Sequence, residues 1–283
     1  MSKKKKNVNP IDDLIIKLAE QFRNIPNLDL INTDPQANKM FQFAVRRFGG
    51  LHDYKTLFAK AVIPAVNKSK FEMKEYARKS AFRELAPKMV DEIEENFNEI
   101  IRIAYVGMFH KYENFIYELQ DLAEKMVNEA GKQGLVKYIK DTFNFKFLDW
   151  LSSDITHRIN WISNCIKHKD GYPVKEDPPI SYMLVDKSKK IVLTKDEFIA
   201  DVDLLLKQME LALIIMKAFV MHMITFNDEM DTSLYSTEFI ERQKAIKIEV
   251  EDKIKAILLM VRAKTGIQIS ENLQKLISDN NGK

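Results

Sequence analysis

From Pro87 to Ala130 apolar residues recur in steps of three and four without interruption, and no other feature of the chain narrows its fold so far. Met89, Ile93, Phe97, Ala104, Met108, Phe115, Leu119 and Met126 fall along one side of a helix. At the usual rise per residue such a helix is about 65 Å long. A kink is expected in it, with Gly107 the natural place, because glycine weakens a helix and admits close packing. Gly131 and Gly134 are placed to end it.

The rest of the chain agrees with a helical protein. Its 283 residues include only 8 glycines and 8 prolines, roughly 3% each against usual shares of about 7% and 5%. Few turns and long elements follow, and the abundant Leu, Ile, Lys, Glu and Met suit helices. The expected class is all-α.

Ile11 to Phe22 reads as a short amphipathic helix, and helical pattern resumes after Pro35 until Gly49-Gly50, where it is expected to stop. His52 to Glu84 is helical, with a boundary at Pro64. Another helix is predicted from Lys146 to His168, closed by Asp170-Gly171 and Pro173. Ile180, Tyr182 and Leu184 alternate, Asp186-Lys187-Ser188-Lys189 offers a turn, and Ile191-Val192-Leu193 returns. That pattern predicts a small β-hairpin over about 180–193. Thr194 and Glu197 form a capping box opening a helix to Phe226 that is apolar nearly all round. A final helix or helix pair is predicted over about 237–278. The expected organisation is an N-terminal helical extension over 1–86 with a lysine-rich start, a core over 87–226 and a C-terminal helical extension over 227–283.

Several function classes are disfavoured by the same residues. A single cysteine, Cys165, excludes an internal disulfide framework and a cysteine-rich zinc site. The five histidines, His52, His110, His157, His168 and His222, form no HExxH pair, so no metal is expected. No GxxxxGK, GxGxxG or GxSxG motif is present, so no nucleotide cofactor is expected. The start, Met1 to Lys6, lacks a signal-peptide core, and the apolar run Leu204–Phe226 is interrupted by Lys207, Glu210, Lys217 and His222. A cytoplasmic protein without a membrane anchor is the expectation. Net charge is only +3, which does not by itself call for nucleic acid.

One helix carries two faces of different character. Ile155, Ile159, Ile162 and Ile166 make an aliphatic stripe, while Trp150, Asp154, His157, Trp161, Asn164 and His168 line up opposite it. The second face can line a cleft or an interface; equally, it is a wet face whose His168 favours the helix dipole.

The segment Ser163-Asn164-Cys165-Ile166-Lys167-His168-Lys169-Asp170-Gly171 resembles the signature of HEPN domains, in which an RNxxxH-type motif ends a helix before a glycine turn. The preceding helix, with Phe109, Tyr112, Glu113, Asn114 and Phe115, and the following hairpin and capped helix resemble the surroundings of that motif. The resemblance covers about 87–226. It implies a HEPN-like helical bundle that forms a homodimer, bringing two motifs together in a cleft that cuts RNA without metal. By that resemblance His168 is the acid/base and Asn164 organises the cleft. The motif's arginine is replaced by Ser163, which offers no charged fork for phosphate. Arg158, about one and a half turns earlier, is the candidate to replace it. Lys167, Lys169, Trp161 and His157 are the candidate substrate contacts, and Glu113 and Ser163 candidate polar partners around them. The implied function is an endoribonuclease of the toxin–antitoxin or antiviral-defence kind, with a cognate antitoxin or sensor protein as a further partner. The alternative is a catalytically inactive HEPN-like module that binds RNA, a nucleotide or a partner protein. A helical scaffold with a merely polar helix end is the third reading.

Overall fold

The computed structural model describes residues 35–80, 83–152, 154–174, 178–226, 236–256 and 258. The elements are α1 (Pro35–Leu57), a π-helical turn (Phe58–Val62), α2 (Ile63–Lys79), a 3-10 turn (Arg83–Leu85) and α3 (Ala86–Glu129). They continue with α4 (Leu135–Phe143), a 3-10 turn (Phe147–Ser152), α5 (Asp154–Lys169), a 3-10 turn (Ile180–Tyr182) and α6 (Lys195–Phe226). A last helix, α7, covers 237–256. Among the described residues there is no strand, and the protein is all-α. The helix expected at Ile11–Phe22 lies outside the described residues.

The 44-residue α3 runs unbroken through Gly107. The absent side chain there serves packing: a Cβ would collide with the Tyr54 hydroxyl, which donates to the Ala104 carbonyl at 3.2 Å. At its C-terminus Gly131, at φ +76°, allows Lys132 N–H to reach Val127 O (3.0 Å) and Gly131 N–H to reach Asn128 O (2.9 Å). These bonds satisfy carbonyls that the helix end would otherwise leave open.

Three sequence-based expectations are corrected and one, at Pro64, holds. The Gly49-Gly50 pair does not stop α1, which continues to Leu57. Two glycines cost only about 1 kcal/mol each in a helix, and the buried Leu51 that follows holds the turn in place. Pro64 does fall at a boundary, in the first turn of α2, and the missing proline N–H is accommodated by the π-turn Phe58–Val62 just before it. The helix expected from Lys146 begins only at Asp154, because Phe147–Ser152 winds as a 3-10 turn. The hairpin over 180–193 is replaced by the 3-10 turn Ile180–Tyr182 and a run of turns. Ile191 makes its backbone bonds elsewhere: its N–H goes to Gly171 O (2.8 Å) and its carbonyl accepts from the Arg102 side chain (2.9 Å). The ladder partner that alternation predicts is thereby taken away.

The capping box forms as read, with Glu197 N–H on Thr194 Oγ1 (3.2 Å) and Thr194 N–H on Glu197 Oε2 (2.8 Å). α6 is long and apolar enough to cross a membrane by length and composition, but 56% of its most apolar window is buried within the protein.

Two compact units divide the chain. The first holds the described parts of Met1–Ala44 and Lys207–Lys283 together with Phe115–Ile155. Its interior is aromatic: Phe43 stacks on Phe115, and Phe219 packs against both Phe143 and Phe145. The second holds Val45–Asn114 and Thr156–Leu206. There Tyr54, Phe58 and Tyr105 all pack around the Phe198 ring, which is fully buried.

Candidate functional site

The candidate residues lie mainly on α5, in the second unit, and the helix separates them by face. On its inner side Thr156, Ile159, Ile162, Ser163 and Cys165 are fully buried. Their angular positions, in steps of three and four, form the side that packs. Ser163, at the position of the motif's arginine, has its hydroxyl buried and without a hydrogen-bond partner among the described residues.

Arg158 also points to the interior. Its guanidinium pairs with Asp201 of α6, and Asp201 accepts a second bond from the Tyr105 hydroxyl at 2.8 Å. Burial pushes the Asp201 carboxyl up, while Arg158 and Tyr105 pull it back. Burial also works against the Arg158 charge, but the facing carboxylate outweighs it and the guanidinium is held above its ordinary value. Trp161 is 4% exposed and lies on Tyr182, ring centroids 5.1 Å apart. Arg158 and Trp161 therefore join α5 to α6 and to the Ile180–Tyr182 turn. Ten residues separate Arg158 from His168, about 15 Å along the axis. The structure does not bring the two together.

The outer side carries His157, Asn160, Asn164 and His168, at steps of three, four and four. The first three are half-buried and His168 is exposed. Asn164 Nδ2 donates to Asn160 Oδ1 at 3.2 Å, which fixes the Asn164 amide. His168 has no hydrogen-bond or ion-pair partner among the described residues. Lys167 and Lys169 flank it, both exposed, in the last turn where positive charge complements the helix dipole. Lys167 Nζ also lies 6.0 Å over the Phe109 ring of α3. Glu113 is paired with His110 on its own helix (3.8 Å), not with α5. Trp150 leaves the line altogether: it sits in the Phe147–Ser152 turn, edge-on to Phe145.

The turn after His168 is held from beneath. Asp170 (φ +52°) and Gly171 (φ +85°) are left-handed, and Gly171 N–H returns to Cys165 O at 3.1 Å. The fully buried Arg102 of α3 donates to Glu95 (2.7 and 3.1 Å), Glu99 (3.0 Å) and Ile191 O (2.9 Å). A Cβ on Gly171 would come within 3.0 Å of the Arg102 Cδ, so glycine is needed for contact as well as for φ. Lys190 bridges Asp170 (2.8 Å) and Glu95 (3.1 Å). Hydrogen bonds from Arg102 and Lys190 hold the Glu95 carboxyl below its usual range.

Arg102, Asn160, Tyr105 and Asp201 were missed by sequence reasoning, yet the two charged ones left a trace. Arg102 stands three and seven residues before Tyr105 and Phe109, on the apolar side, and three and seven after Glu99 and Glu95. Asp201 lies three residues after Phe198 and four before Leu205. A charge inside an apolar stripe signals a buried partner. Among the described residues no three His, Cys, Asp or Glu side chains gather as a metal site.

No protein-family model matches the chain, and neither a curated protein nor a solved structure matches it.

Proposed function

We propose that this chain is a HEPN-like protein that acts on RNA through the outer strip of α5, and that two copies of the strip, in a homodimer, form a metal-independent endoribonuclease cleft. The observation that carries the reading is His168: solvent-facing, at a helix end, one turn from Asn164 and flanked by Lys167 and Lys169. An imidazole nitrogen can both take and give a proton, as general acid/base catalysis requires. In a two-fold cleft one His168 takes the ribose 2′-hydroxyl proton and the partner's His168 returns one to the leaving oxygen. Asn164 offers amide hydrogen bonds, and Lys167 and Lys169 supply the charge for phosphate. A toxin or phage-defence effector acting in the cytoplasm, governed by an antitoxin or sensor protein, fits such an activity.

A second reading is favoured by a specific pair of observations. Ser163 is buried and Arg158 is committed to Asp201, so neither position offers a guanidinium to a phosphate at His168. Losing one stabilising group of that kind costs about 2.7–4 kcal/mol of transition-state stabilisation. On this reading the strip binds RNA, a nucleotide or a protein without cutting.

Labelled total RNA and tRNA, incubated with the protein and with His168→Ala in EDTA, decide between them. Cleavage by the wild type alone, leaving 2′,3′-cyclic phosphate ends, establishes the nuclease. Absence of cleavage with retained RNA binding establishes the silent module.

A further inference from the structure

The first unit contains a different histidine, at the seat of its last helix. α7 is held by one side of its second half: Lys247, Glu251, Ile254 and the following Leu258 are spaced by four, three and four. Ile254 and Leu258 are 6% and 4% exposed, whereas Phe239 and Ile248 are 40% and 59% exposed. Lys247 Nζ donates to the Phe226 carbonyl at 3.2 Å. Beside that bond, Glu251 Oε1 lies 3.7 Å from Nε2 of His222 on α6.

His222 is 2% exposed. Its Nδ1 is 2.6 Å from the Tyr138 hydroxyl of α4, and the rings of Tyr138, Phe143 and Phe226 surround it at 5.9, 5.2 and 5.1 Å. An imidazole buried among three aromatic rings, with a helix seated over it, is a site where one proton alters packing.

We propose that His222 is a proton-operated latch for α7: the neutral imidazole seats the helix, and protonation releases it. The titratable and charged groups facing the ring are Tyr138 from α4 and Glu251, Lys247 and Lys255 from α7. Glu251 favours a charged imidazole most, with a smaller contribution from the Lys247 backbone, and Glu251 is already paired with Lys255 at 3.2 Å. The Lys247 and Lys255 side chains oppose the charge, and the aromatic box gives it no solvent. Burial is the largest influence and pushes His222 down, with Glu251 opposing it. With α7 detached, His222 regains contact with water and an ordinary value of about 6.5. The neutral form is thus favoured when the helix is seated. Seating is at full strength above that ordinary value and is lost as pH falls below it toward the depressed value of the seated state.

The test is hydrogen–deuterium exchange of 247–256 in the full chain, corrected for intrinsic rates, between about pH 8 and about pH 5, where an imidazole titrates. The wild type is expected to lose protection there severalfold on acidification, more than α3 does. His222→Phe, which keeps an aromatic ring in the box, is expected to hold equal protection at both ends of the range. If that variant loses protection as the wild type does, the latch is refuted. Glu251→Gln keeps the shape of the seat and removes the group that helps the charge most, so its acid loss is expected to be larger. Should His222→Phe fail to fold, this variant decides: an unchanged or smaller acid loss overturns the proposal.

Discussion

On the inner face of α5, Arg158 and Trp161 are tied to Asp201 and Tyr182, whereas on the outer face His168 and its flanking lysines meet solvent. Both faces carry residue types that serve chemistry at active sites. A guanidinium beside a carboxylate and a tyrosine hydroxyl looks as functional in isolation as an exposed histidine does. The difference lies in what each can still bind. The hydrogen bonds on the inner face are made within the protein, so that face holds helices together. The outer face has capacity to spare at His168, and a substrate needs such capacity.

That contrast breaks first at Ser163. Ser163→Arg rebuilds the RNxxxH sequence but places a charge at a fully buried position. It is expected to cost about 3–5 kcal/mol, or to prevent folding, through overpacking and an uncompensated charge. Urea denaturation measures this. A stable Ser163→Arg protein with enhanced RNA cleavage would mean that 163 faces the cleft after all.

Next comes the Arg158 pair. Asp201→Ala leaves the Arg158 guanidinium and the Tyr105 hydroxyl without their partner, and about 3 kcal/mol of stability is expected to go. The double change with Arg158→Met should recover part of that loss, because the stranded charge is removed too. If Arg158→Met alone left stability untouched and abolished RNA binding, Arg158 would belong to the outer face.

Changes on the outer strip are expected to be mild for the fold and visible in binding. Lys167→Ala with Lys169→Ala removes two cationic contacts. The salt dependence of single-stranded RNA affinity should flatten by about 0.7 per lost phosphate contact, or about 1.4 in all. An unchanged slope would move the RNA surface away from the end of α5. His168→Ala is the smallest perturbation of stability, within about 0.5 kcal/mol. It should nevertheless eliminate any cleavage, and a variant that still cuts would detach the chemistry from this strip.

Local signals were legible where they were satisfied locally. The period of α3 gave its ends to within one residue, since a glycine Schellman cap and a continuous apolar side need nothing distant. Thr194 and Glu197 announced the start of α6 for the same reason. The Asn164–His168 strip was visible in the spacing, although Trp150 and Trp161 were counted in it and Asn160 was not. Periodicity gives the angle of a side chain about its helix, but Trp150 falls in the turn before α5 begins, and Trp161 is drawn onto Tyr182, twenty-one residues on. The 180–193 hairpin failed in the same way. Alternation describes which side chains turn together, but Arg102, some ninety residues earlier, claimed the Ile191 carbonyl that a ladder would need.

By itself, then, the sequence determined that the chain is helical, where α3 and α6 begin and end, and that α5 finishes in a basic turn carrying Asn164 and His168. These follow from contacts within a few residues, where helix geometry fixes the neighbours. Only the tertiary structure decided that Arg158 belongs to Asp201, that Ser163 is buried, that Arg102 carries the turn after His168 and that His222 lies beneath α7. Each of those depends on a partner whose place along the chain no local pattern encodes, and whether a polar group serves the fold or a ligand depends on whether that partner has reached it.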